Sequence, residues 1–92
     1  MIVSFKHKGL KKLFYDNDVS RVSAQYKERI ENMLFALDSA RTIEAINMPG
    51  YRLHALKGDM AGLWSISISG NWRITFRFSD GDVYDVDMVD YH

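Results

Sequence analysis

The second half of this chain alternates. In "LWSISISGNWRITFRF", Trp64, Ile66 and Ile68 are separated by serines, and Trp72, Ile74, Phe76 and Phe78 by Arg73, Thr75 and Arg77. A period of two is the side-chain spacing of a β-strand, so this stretch is bound to a sheet with one apolar and one polar face. The loop between the two runs sets their register. Directly opposed residues point the same way, so Ile68 is expected opposite Trp72 around a Ser69-Gly70-Asn71 loop. A two-residue turn would set Ile68 against Arg73 instead and break the pattern. A second turn, "DGD" at residues 80–82, leads into a last strand with Tyr84, Val86 and Met88 expected on the apolar face. Pairing Phe78 with Tyr84 then sets Thr75 opposite Asp87, Arg77 opposite Asp85 and Arg73 opposite Val89. Tyr91 falls diagonal to Arg73 on the same polar face, whereas strict alternation sends Asp90 and His92 to the other side.

Before Tyr51 the period is helical. Leu10, Leu13 and Phe14 recur among lysines and predict a short amphipathic helix, weakened by Gly9 and ended near Asn17. Val22, Tyr26, Ile30, Met33, Leu34 and Leu37 form one stripe and predict a second helix. Ser20 or Ser23 is its expected cap, and Glu28, Arg29 and Glu31 are expected to face water. "SARTIEAINMPG" reads as one more helical turn, and residues 2–5, "IVSF", as a short first strand in the same sheet. The expected class is α+β: two N-terminal helices on a mainly antiparallel sheet that ends in a three-strand meander. At 92 residues, one domain spanning 1–92 is the expected organisation. The opening "MIVSFKHKGL" has no long apolar run, so neither a signal peptide nor a membrane span is expected.

The absence of cysteine excludes disulfides, zinc–thiolate sites and cysteine nucleophiles, and fits a reducing cytoplasm. The net charge of zero is unevenly spread. Residues 1–58 hold ten Lys/Arg against six Asp/Glu, a balance of +4, and residues 59–92 hold two against six, a balance of −4. A neutral total therefore leaves room for a basic face. With Val89 opposite it, Arg73 is a candidate anion binder in mid-strand. The stretch "YRLHALKGD" adds His54 and Lys57 before a glycine-containing loop. Lys6, Lys8, Lys11 and Lys12 form a basic set that reads either as a solvated helix face or as a phosphate contact. His54, His92 and Asp90 lack the close ligand spacing of a metal site, so neither metal nor other cofactor is expected. The residues by themselves reach a small α+β domain whose sheet face is cationic and carries histidine.

The segments "SFKHKGLKKLF", "LDSA", "YRLHALKGDMAGLWSISISGNWRITFRF" and the terminal "VDYH" together resemble the HigB toxins of the RelE-like superfamily, in type II toxin–antitoxin systems. The resemblance runs essentially the full length. It implies a RelE-like fold and a ribosome-dependent endoribonuclease, an mRNA interferase that enters the A site of the 70S ribosome. It also implies a helix-turn-helix antitoxin of the HigA type, through which operator DNA is contacted. Carried over by motif, the catalytic positions are His54, Lys57, Arg73, Asp90, Tyr91 and His92. Two rival readings share the fold: a ParE-like gyrase poison without a nuclease site, and a degenerate toxin retained only to bind its antitoxin.

Overall fold

The computed structural model describes residues 1–90. Among them, helices α1 (Lys8–Asp16) and α2 (Lys27–Ser39) precede strands β1 (His54–Ala55), β2 (Trp64–Ser67), β3 (Trp72–Ser79) and β4 (Asp82–Asp90). The strands form one sheet in the order β1-β2-β3-β4, antiparallel throughout. Short 3-10 turns at Ile43–Ile46 and Gly58–Met60 complete the regular elements; the first is the extra helical turn expected from "SARTIEAINMPG".

The predicted register of β2 and β3 holds. Ile66 opposes Ile74, Ser67 opposes Arg73, and the Ile68 amide donates to the Trp72 carbonyl at 2.9 Å. One apolar face results, with Ile66, Ile68, Ile74 and Phe76 buried against Leu10, Leu13, Ile30, Met33, Leu34 and Leu37 of the helices. Trp72, at the start of β3, is 40% exposed rather than in the core.

The β3–β4 pairing differs from the expectation. Thr75 does oppose Asp87, but Arg77 opposes Tyr84 and Phe78 opposes Val83, with a bulge between. Asp85 takes up the extra residue at φ 56, a left-handed conformation that aspartate tolerates better than most residues. Val83 and Val86, three apart, therefore both reach the core, and Tyr84 points the other way. A period-two count has no means of registering an inserted residue. Arg77 and Asp85 still meet, Nε to Oδ2 at 3.4 Å, as an exposed pair worth about 0–1 kcal/mol.

The expected first strand is reduced to two parallel bridges, Ile2 to Val83 and Phe5 to Val86. It docks on the bulge: the Asp85 amide donates to Ser4 Oγ at 2.9 Å and the Val86 amide to the Ser4 carbonyl at 3.1 Å.

Helix α1 is capped by His7, whose Nδ1 accepts from the Leu10 amide at 3.0 Å, and ends on Asn17 in the left-handed conformation. Gly9 is there for space. A Cβ would stand 2.8 Å from both Arg21 Cβ and His7 Cε1. In the connector to α2, Ser20 donates to Asp18, and these bonds hold the Asp18 carboxyl below its usual value.

Neither Ser20 nor Ser23 caps α2, which starts at Lys27 behind Tyr26 without a side-chain cap. Val22 and Tyr26 pack on the core from turns, so the stripe extends beyond the helix. Arg29 also departs from expectation. It lies half-buried over the Tyr51 ring and donates to the Gly50 and Ser67 carbonyls at 2.9 and 2.8 Å, tying α2 to β2. No helix among the described residues is long and apolar enough to cross a membrane.

Candidate active site

The polar face of the sheet is closed over near β1. His54 opposes Ser65, Ser65 opposes Thr75, and Ser67 opposes Arg73. The two serines thus lie between His54 and Arg73, which are two strand spacings apart across the sheet and two residues apart along it, a diagonal of roughly 12 Å. A cavity of 330 Å³ opens there, lined by Arg52, Leu53, His54, Leu56, Ser65 and Arg73. That size accommodates part of a nucleotide. Two arginines and an imidazole converge on it, with leucines forming the apolar wall.

The centre of this polar face is dry. Ser65 is 0% exposed, Thr75 3% and Ser67 9%. Ser67 Oγ donates to the Ser69 carbonyl at 2.8 Å. Ser65 Oγ is buried and has no hydrogen-bond partner among the described residues.

The other expected site residues are distributed more widely. Lys57 is exposed at the start of the turn Gly58–Met60, next to the cavity's Leu56 but outside its lining. Gly58 follows it with φ 66 and open space around a built Cβ, so glycine is required by the backbone and not by crowding. Asp90 opposes Trp72 at the end of β4, on the face away from Arg73, as alternation predicts. Tyr91 and His92 lie outside the described residues. Lys6 borders a second hollow on the polar face, with Thr75, Arg77, Asp85 and Asp87, while Lys8, Lys11 and Lys12 are exposed along α1.

Arg52 and Ser65 are cavity residues that the sequence reading passed over. Arg52 carried a signal in its charge, two positions before His54. Its φ of 53 is a strained value for arginine beside a cavity. Ser65 gave none, because a serine between Trp64 and Ile66 reads as the wet face of a strand.

Comparison with known proteins gives the arrangement a context. Residues 3–92 match the model of a HigB-like toxin family, described as RelE-like toxin of type II toxin–antitoxin system HigB. The chain is 52% identical over 92 residues to a protein named Endoribonuclease HigB from Proteus vulgaris, covering 100% of both. It is 31% identical over 86 residues to Toxin HigB-1 of Vibrio cholerae serotype O1, covering 88% of this chain and 87% of that one. A YoeB/ParE toxin from Agrobacterium tumefaciens matches in structure with a TM-score of 0.55 at 23% identity, covering 99% of this chain and 96% of that one. At that identity the last likeness concerns the fold alone.

Proposed function

The chain belongs to the HigB-like family of RelE-like toxins of type II toxin–antitoxin systems, which gives it an antitoxin partner, and from this we propose that it is an mRNA endoribonuclease acting on translating ribosomes. The observation that carries the reading is the cavity that brings His54 and Arg73 onto one polar surface. A ribonucleotide contains its own nucleophile. The 2′-hydroxyl attacks the adjacent phosphate, the 5′-oxygen leaves, and the products are a 2′,3′-cyclic phosphate and a free 5′-hydroxyl. The protein has to take one proton, give one to the leaving oxygen, and stabilise the dianionic phosphorane between them.

Imidazole titrates near neutral pH and suits both proton steps. His54 and His92 divide these steps, with Asp90 orienting an imidazole from the rim of the sheet. Arg73, half-buried in the cavity wall, holds the scissile phosphate, and the exposed Lys57 supports the strand of RNA beside it. Tyr91 stacks on a base or bonds a phosphate. Lys6, Lys8, Lys11 and Lys12 supply a further basic surface for ribosomal RNA. The ribosome orders the message in its A site, in the cytoplasm. The antitoxin is of the helix-turn-helix HigA type and carries the contact with operator DNA.

Mapping mRNA 5′ ends after induction tests the reading. New ends inside translated frames are expected. Intact messages accompanied by a DNA-damage response would replace the nuclease with a gyrase poison. Absence of any growth effect would leave only an antitoxin-binding protein.

A further inference from the structure

We propose that the Ser65 hydroxyl is a substrate contact, donating a hydrogen bond to a phosphate oxygen of the scissile nucleotide beside Arg73. This rests on the nuclease reading and adds a residue to it.

Two serines occupy the same face of β2, and their hydroxyls have different fates. The Ser67 hydroxyl is used inside the protein, on the Ser69 carbonyl. That of Ser65, at 0% exposure, meets no partner among the described residues. Buried hydroxyls are ordinarily hydrogen-bonded, and one left unmatched destabilises the free protein. An alanine would remove that cost while keeping the strand. The hydroxyl has its natural use where the missing acceptor arrives from outside.

Position supports this. Ser65 lines the cavity, opposes His54 across β1–β2, and precedes by two the residue that opposes Arg73. A phosphate held between the imidazole and the guanidinium therefore lies over β2 between Ser65 and Ser67, and of these two hydroxyls that of Ser65 is the one left unmatched among the described residues. Substrate entry has to draw aside the side chains that cover it, and His54 is exposed and Arg73 only half-buried. In the closed, dry floor that results, a neutral donor aimed at the phosphorane acts with little competition from water.

The test compares purified wild type, Ser65→Ala and Ser65→Cys on mRNA-programmed translating ribosomes, alongside melting temperatures. Ser65→Ala is expected to lower kcat by roughly ten- to a hundredfold, below the effect of losing a charged donor, with a melting temperature equal to or above wild type. The loss is expected to be uniform across cut sites, as for a backbone contact. Full activity in Ser65→Ala overturns the proposal, and so does a loss confined to particular bases at the cut. If alanine lowers the melting temperature, Ser65→Cys decides, since it preserves volume with a poor donor. Reduced cleavage at the wild-type melting temperature then supports the contact, and full cleavage overturns it. A wild type that cuts no message overturns the nuclease reading as well, whereas an active wild type with an equally active Ser65→Ala overturns this proposal alone.

Discussion

Arg73 shows how much one strand position decides. It is half-buried at the cavity wall, opposite Ser67 on one side and Val89 on the other, as alternation in "NWRITF" had placed it. Arg73→Ala is expected to reduce cleavage by roughly 10²–10³-fold, the range for losing one transition-state donor. Thermal unfolding should be close to wild type, and normal growth arrest by the folded variant would remove Arg73 from the mechanism. Residues of this kind were legible because charge and spacing identify them together. Ser65 was not legible, since whether a strand serine is wet or buried depends on the chain that crosses above it. Here Ser65 shares its cavity with Arg52, Leu53, His54, Leu56 and Arg73, contributed by segments distant in sequence.

At the scale of elements, alternation was enough for β2 and β3 but failed in β4. The failure has one cause, the bulge at Asp85, which puts Val83 on the core face in place of Tyr84, while Val86 and Met88 stay where alternation set them. It also presents the Asp85 amide to Ser4, so the irregularity is what the N-terminal segment docks on. Asp85→Gly keeps the left-handed backbone and is expected to stay within about 1 kcal/mol of wild type in chemical denaturation. Asp85→Val is expected to cost roughly 1–2 kcal/mol more, because a β-branched side chain disfavours that conformation. Equal stability of the two would show that the strand re-registers without its bulge. The start of α2 was misplaced for a related reason. Val22 and Tyr26 continue the apolar stripe from turns, and the pattern of burial does not distinguish a helix from turns that pack alike.

Across the whole molecule, the sheet brings basic residues of the first half, Arg52 and His54, beside Arg73 of the second, so a chain of zero net charge presents a cationic cavity. Tyr91 and His92, which follow β4 in the sequence, belong to the proposed machinery. A tag fused directly after His92 is therefore expected to reduce growth arrest more than one fused before Met1, at matched expression. Equal arrest from both fusions would remove the terminal residues from the site.

The bridges from Ile2 to Val83 and from Phe5 to Val86 join the opening of the chain to its closing strand. Contacts of such long sequence separation form late, after the intervening loop has been closed. Ile2 and Phe5 find their sheet partners only when β4 is in place, and β3 lacks its outer neighbour until then. The outer strand and the segment at residues 2–5 therefore complete each other, and the sheet closes on its most distant contacts last.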